Sequence, residues 1–590
     1  SMPSRFLNRS SNWQIAVAYL AVSVTVDDSV ASEQANSRAD TRAHATFIDI
    51  AAQVGLDFQH ESGVRGQYRL PEIMGSGAAL FDYDNDGDLD IYLIDSGGGK
   101  SRLFQQGEDG SFRDATGQSG LTNPGYGMGT ALGDIDNDGD VDIFVTNVGT
   151  DHLYRNDGHG TFTDITATAG IEGSYWSSSA AFCDIDGDGY LDLYVATYVE
   201  SDPLQTCTNR AGEPDYCPPG AYRSVPDQLF LNNGNGTFKN VSETSGISLV
   251  ANSGLGVVCF DFSGDHRTDV LVANDGEPNH LWINRGDNTF AESGLAFGVS
   301  VNLFGEPEAS MGIAFGDVDG DLDLDLLMTH IDSESNTLYV RAQANLLIDA
   351  TIGANLGFTS VPFTGFGTVF FDADNDGDLD LAIANGRVRK APGRRHPTGS
   401  NDDVDEFVGA YAEKNLMMEN SGSGVFRNSC DEPNGFCDAV EVSRGLLAAD
   451  IDRDGDLDLL VTNSNGSVRL YQNQTTDRMR GGVREGVRKG GAWLQIRAID
   501  PNLNRDAVGA QVRVQIDGRW LVRPVIHTTS YLSSADATVH FGLGDASGVD
   551  AVVVVWADGV QERFPPMKAN QLSVIQKGHG IVELRAEHLK

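Results

Sequence analysis

Carboxylates recur through this chain at a spacing that can build oxygen cages. The segment Asp82-Tyr83-Asp84-Asn85-Asp86-Gly87-Asp88-Leu89-Asp90 runs into the apolar stretch Ile91-Tyr92-Leu93-Ile94, and the same nine-residue phrase returns six more times. The second copy carries Asp134, Asp136, Asp138, Asp140 and Asp142. The third has Asp184, Asp186, Asp188 and Asp192, with Tyr190 at its seventh position. The fourth reads Asp261, Ser263, Asp265, Arg267 and Asp269. The fifth holds Asp317, Asp319, Asp321, Asp323 and Asp325, and the sixth Asp372, Asp374, Asp376, Asp378 and Asp380. The seventh holds Asp450, Asp452, Asp454, Asp456 and Asp458. Oxygen ligands at positions 1, 3, 5 and 9, a main-chain carbonyl at 7 and a glycine at 6 match the first part of an EF-hand-type calcium loop. Ca²⁺ takes six to eight hard oxygens, whereas Mg²⁺ demands a stricter octahedron and keeps its waters. Up to seven structural Ca²⁺ ions are therefore expected, one per loop.

The copies are not equal. Leu322 stands at the glycine position of the fifth, and His266 and Arg267 replace glycine and an acid in the fourth. The Asp261 site is expected to be the weakest. No recurring glutamate follows at position 12, and what comes after each loop is a β-type run such as Ile143-Phe144-Val145. The loops hold a large share of an acidic excess that leaves the 590-residue chain at −44. That charge repels phosphate backbones, so nucleic-acid binding is not expected.

The loops begin at 82, 134, 184, 261, 317, 372 and 450, a period of 50–55 residues broken by two longer intervals. Such a period, with interspersed strands, predicts an all-β, seven-bladed β-propeller. Between loops lies a second phrase, Leu153-Tyr154-Arg155-Asn156-Asp157-Gly158, which recurs at Leu229 and Leu281 and reads as a hairpin. After the seventh loop the phrase stops at Asn473, and its missing strand stands upstream as Thr46-Phe47-Ile48-Asp49-Ile50. That strand is expected to close the ring. From Trp493 onward, short β runs and the Asp517-Gly518 turn predict a small β-sandwich or barrel.

These phrases resemble FG-GAP/VCBS repeats. At the C-terminus, Asn504-Arg505-Asp506-Ala507-Val508-Gly509-Ala510, Ser530-Tyr531-Leu532-Ser533-Ser534, His540-Phe541-Gly542-Leu543-Gly544 and Trp556-Ala557-Asp558-Gly559 resemble the ASPIC/UnbV domain. The order of the two resembles the cartilage acidic protein (CRTAC1-like) family. The resemblance implies a calcium-binding extracellular propeller with interaction roles, and it brings no catalytic residues.

The domain plan read from the chain is a signal peptide at 1–31, a leader at 32–45, and the propeller at 46–474. A basic glycine-rich linker at 475–491 and the C-terminal domain at 492–586 complete it. The apolar run Ile15–Val26 is too short to span a bilayer. No transmembrane segment is expected, and the chain reads as a secreted, periplasmic or extracellular monomer. Cys207 with Cys217 and Cys430 with Cys437 read as local disulfides, Cys183 and Cys259 as free buried thiols.

Two insertions, about 199–226 and 386–412, are the expected seats of specificity. The second carries Arg387, Arg389, Lys390, Arg394, Arg395 and His396, followed by Asp402, Asp403, Asp405 and Glu406. His527, His540, Arg505, Asp506 and Tyr531 are read as an Arg–Asp structural pair with aromatic packing. Two functions follow. One is a calcium-stabilised module binding a protein, glycan or small molecule. The other is a cofactor-independent cyclase, lyase or isomerase, possible in natural-product biosynthesis, using a central pocket or interdomain cleft. Glu72 is its candidate acid. No nucleophile elbow, P-loop or HExxH motif is present.

Overall fold

A computed structural model describes residues 45–582 except 172, 201, 203, 391–402, 432–433 and 476–490. The expected signal peptide, leader and linker lie almost wholly outside the described residues, as do Arg394, Arg395, His396 and Asp402.

Each repeat folds into a four-stranded antiparallel unit. In the second, Tyr126–Gly133 runs down to the loop, Asp142–Gly149 returns from it, and His152–Asn156 and Phe162–Asp164 complete the sheet. The loop is the connection between the first two strands: Gly133 pairs with Asp142 across its base. The first strands of the seven units are Ala78–Phe81, Tyr126–Gly133, Tyr175–Cys183, Gly254–Phe260, Ile313–Gly316, Gly365–Phe371 and Ser443–Ala449. Each neighbours the next, and the last neighbours the first, so the units form a ring. Their nearly continuous burial follows from having a sheet face on both sides. Phe47–Asp49 pairs antiparallel with Arg469–Asn473 and supplies the outer strand of the last unit. The ring is thereby stitched from both ends of the repeat region.

Residues Ala492–Val582 form two facing sheets around a core that includes Leu494, Val512, Phe541, Val552 and Trp556. One excursion leaves this domain. Thr528–Thr529 and Ser533–Ala535 form a hairpin whose second strand pairs parallel with Ala78–Phe81 of the first repeat unit. Ser530 bridges to Ile313 on the far side. Tyr531, at the tip, is fully buried on the axis of the ring, with its hydroxyl donating to Met74 O at 3.1 Å. Its ring meets Phe366 edge-on at 4.9 Å, and Arg444 lies over the opposite partner of that stack, 3.9 Å from the Phe366 centroid. Arg444 is fully buried and donates to the carbonyls of Ile73, Gly386 and Ser443. The centre of the ring is therefore filled by side chains from both directions.

Two expectations need correction. Cys183 and Cys259 are joined by a disulfide. They lie on the first strands of adjacent units, which brings their Cα atoms to 6.3 Å, within bridging range. The local bridges Cys207–Cys217 and Cys430–Cys437 are present as read. In the C-terminal domain Asp506 pairs with Arg497 at 2.7 Å rather than with Arg505. Adjacent side chains on a strand point to opposite faces, so the Arg505 guanidinium reaches the Asp506 carbonyl, at 3.1 Å, and not its carboxylate.

Candidate metal centres

The nine-residue loops owe their shape to main-chain bonds onto their own acids. In loop 1, Asp86 N and Gly87 N donate to the two oxygens of Asp82 at 3.1 and 2.9 Å. Loop 2 repeats this on Asp134, and loop 6 on Asp372. Position 6 is left-handed in every loop, at Gly87, Gly139, Gly189, His266, Leu322, Gly377 and Gly455. Position 4 is left-handed too, at Asn85, Asn137, Gly187, Gly264, Gly320, Asn375 and Arg453. Only the first of these constraints was visible as a glycine pattern.

Position 9 ties the loop to its sheet. Asp142 accepts from Ile135 N at 2.9 Å and from Asn156 N at 2.7 Å. Asp192, Asp269, Asp325, Asp380 and Asp458 accept equivalent pairs, as does Asp90 from Tyr83 and Gln106. The residue that closes each pair also reaches backwards. Asn156 Nδ2 donates to Tyr83 O of loop 1, Asn232 to Ile135 O of loop 2, and Asn284 to Ile185 O of loop 3. Arg341 reaches loop 4, Asn420 loop 5 and Asn473 loop 6, and Gln106 closes the circle on Ile451 O of loop 7. The asparagine of the Leu-Tyr-x-Asn phrase was read as a turn residue. It is a latch onto the neighbouring loop, and its fixed place ahead of the glycine was the available signal.

The acids converge. Asp82, Asp84 and Asp86 present oxygens within 4.8 Å of one another, as do Asp134, Asp136 and Asp142. Asp184, Asp186 and Asp192 do the same, with Asp317, Asp319 and Asp325, and Asp372, Asp374 and Asp380. Burial pushes Asp82 up to about 6, Asp134, Asp372 and Asp450 to about 7, and Asp90, Asp192 and Asp325 to about 8. Neighbouring carboxylates add to the rise at each. Asp84 Oδ1, Asp136 Oδ1 and Asp450 Oδ1 are buried with no hydrogen-bond partner. A set of hard, crowded, partly orphaned carboxylate oxygens fits a divalent calcium-sized cation.

Position 7 side chains turn outward. Asp140 accepts from Asn85 of loop 1, Asp456 from Asn375 of loop 6, and Asp88 pairs with Arg453 of loop 7 at 2.8 Å. Asp378 likewise pairs with Arg519, while Asp323 and Tyr190 hold the same seventh position in their loops. Asp138, Asp188, Asp321, Asp376 and Asp454 hold the fifth position of their loops, and Asp452 the third of the last. Loop 4 keeps the bond from its sixth residue, His266 N, to Asp261, but differs in that Arg267 is ion-paired with Asp265. A guanidinium there sits on the fifth-position carboxylate, with Ser263 and Asp269 bonded to each other beside it.

The opposite face carries the insertions. A small open pocket is lined by Val64, Tyr68, Tyr216, Lys390, Phe407 and Tyr411, among others. Glu72 is buried behind it, accepting from Tyr216 Oη at 3.3 Å, and burial pushes its carboxyl up. Tyr411 Oη donates to the buried Asp215 at 2.7 Å. Arg387 pairs with Asp332 and Glu413. No helix among the described residues is long and apolar enough to cross a membrane.

Comparison with known sequences agrees with this division. The family described as FG-GAP-like repeat matches residues 82–145, 134–195, 220–272 and 261–328. The family described as ASPIC and UnbV matches residues 500–582. Cartilage acidic protein 1 of Mus musculus is 29% identical over 175 residues, 28% of this chain and 26% of that protein. The Homo sapiens protein of the same name is 26% identical over 244 residues, 38% and 36% respectively. In carrying FG-GAP-like repeats ahead of an ASPIC and UnbV domain, the chain is similar to cartilage acidic protein 1. It spans about a quarter to a third of the length of the curated relatives it matches. Solved structures are more distant. An Agrocybe aegerita lectin recognising non-reducing terminal N-acetylglucosamine has 14% identity and a TM-score of 0.36, covering 66% of this chain and 89% of its own. PorZ of Porphyromonas gingivalis has 11% and 0.39, covering 85% and 59%. Likeness at that level carries no argument about function.

Proposed function

We propose that this protein is a secreted calcium-binding propeller that acts as a binding module, with Ca²⁺ as a structural ion in the nine-residue loops. The observation that carries the reading is the convergence of carboxylate oxygens within 4.8 Å in loop after loop, with buried oxygens left unpartnered. Bound Ca²⁺ would supply the positive charge that these acids otherwise lack. Asp at positions 1, 3, 5 and 9 would hold it, with the carbonyl at 7. The plan is a seven-bladed ring at 46–474 followed by the domain at 492–586. The three disulfides suit an oxidising compartment. Filling of the ring's centre by Tyr531 weighs against a central catalytic pocket. Ligand recognition is assigned instead to the face bearing the insertions, where Tyr68, Tyr216 and Lys390 line the pocket.

Calorimetric Ca²⁺ titration of the chelated chain tests this. Six tight sites and a weak or silent seventh are expected, and an Asp265→Ala variant should leave the tight count unchanged. Loss of a tight site in that variant would show that loop 4 binds like the rest. No heat of binding at all would remove the calcium reading.

A further inference from the structure

We infer that the C-terminal domain is a clamp whose seating on the propeller is coupled to cation occupancy of loops 6 and 7; the inference rests on the calcium reading above. The contacts are to the very acids that open those loops. Gly542 N donates to Asp372 Oδ2 at 3.0 Å, and Gln495 Nε2 donates to Asp450 Oδ2 at 2.8 Å. The same oxygens accept Gly377 N and Gly455 N from within their own loops. Around them, Val539–Gly544 is registered on the main chain of both loops. His540 Nε2 bonds Gly455 O at 3.0 Å, and Gly544 N donates to Asn375 O at 2.8 Å. Arg523 donates to Gly377 O at 3.3 Å.

This interface reads loop shape closely. A Cβ on Gly542 would collide with Asp372 Oδ2 and the Asn375 main chain. A Cβ on Gly455, whose φ is +93°, would collide with the Trp493 indole. The glycine of the His-Phe-Gly-Leu-Gly phrase is thus a docking requirement. The domain docks on Asn375, Gly377 and Gly455 in left-handed conformations. Five carboxylates within nine residues repel one another, and a cation among them would add to the main-chain bonds that close the loop. Whatever stabilises the closed loop must stabilise docking, and docking must in turn raise cation affinity by the same factor.

The sign survives the basic residues present. Arg519 pairs with Asp378, and Arg523 lies in the field of Asp372 and Asp317. The five acids of loop 6 outweigh two guanidiniums and one divalent ion together, so a bound cation does not turn the patch repulsive. The axial hairpin is held separately: Ser530 N donates to Ile313 O at 2.7 Å and Ala535 N to His527 O at 2.9 Å. Loss of the cation should therefore free the 539–544 edge while the hairpin stays in place.

The test is hydrogen–deuterium exchange on the full chain with Ca²⁺ or with chelator, beside a direct count of bound Ca²⁺. Chelation is expected to speed exchange at Gly542 and Gly544 at least tenfold and to leave Ser530, Ala535 and the Ala551–Val555 strand protected. Gln495→Ala should lower the affinity of one ion about fivefold or more, since donors behind a ligand tune the metal. Ca²⁺ bound in the expected number with unchanged exchange at Gly542 and Gly544 overturns the coupling and leaves the calcium reading standing. Exchange that rises equally everywhere also overturns it, because the effect is then global. Unaltered ion affinity in Gln495→Ala counts against it as well. Absence of bound Ca²⁺ would sink both.

Discussion

Tyr531 gives the sharpest mutational test of how the two parts of the chain are joined. It is fully buried on the ring axis, donates to Met74 O and packs on Phe366. Tyr531→Phe keeps the ring and removes the hydroxyl, leaving the Met74 carbonyl unsatisfied, at a cost of about 1–2 kcal/mol. Tyr531→Ala also removes the ring from a packed site, at about 3–5 kcal/mol in total. The alanine variant should therefore lower the melting temperature about two to three times as far as the phenylalanine variant, by differential scanning calorimetry at fixed Ca²⁺. Both should retain bound Ca²⁺, because Tyr531 touches no loop acid. An alanine variant that melts with the wild type would show that the hairpin is not a load path between the domains. Equal losses in the two variants would show that packing against Phe366 contributes nothing.

Reduction of Cys183–Cys259, a bridge spanning 76 residues, should cost more than opening either local bridge. Chain entropy puts it at about 4–5 kcal/mol, read as a lower melting temperature for Cys183→Ala/Cys259→Ala than for the Cys430–Cys437 pair. In the chelated protein, the raised carboxyls of Asp90, Asp134, Asp192 and Asp372 bind protons more tightly folded than unfolded. Their contribution is therefore complete below about pH 4 and lost as pH rises through about 7 to 8. Melting of the chelated chain should fall between pH 6 and 8, and a rise over that window would refute the sign. Asn232→Ala removes the latch onto Ile135 O and should cost about 1–3 kcal/mol in thermal melts, whereas Asn233→Ala, on the exposed turn beside it, should be near neutral.

Much of the architecture was legible in the chain. The nine-residue loops recur strictly because each must close the same antiparallel corner, so their period marks the units directly. The Phe47–Asp49 strand could be paired with the incomplete last repeat because its Phe-x-Asp pattern matched the missing piece. What escaped were contacts made across units. Nothing local distinguishes Cys183 from a buried thiol; its partner is set by which strands line the axis side by side. Asn156 and its equivalents looked like turn residues because the hairpin and the backward latch use the same residue type. His266 and Leu322 looked like damage to their loops. Each instead faces the C-terminal domain: a Cβ on Gly559 would lie 2.6 Å from His266 Nε2, and Leu322 packs against the cluster that includes Val522. The pairing of Asp506 with Arg497 follows strand alternation, which sequence adjacency to Arg505 concealed.

The central claim is that the chain's acids are arranged to hold calcium and that the fold depends on it. Melting of the full chain with saturating Ca²⁺ and again after EDTA, with Mg²⁺ added back as a control, tests it most directly. Ligand-linked stabilisation summed over several sites predicts a drop of at least about 10 °C on chelation, reversed by Ca²⁺ and not by Mg²⁺. An unchanged melt on chelation, or equal rescue by Mg²⁺, would contradict the account.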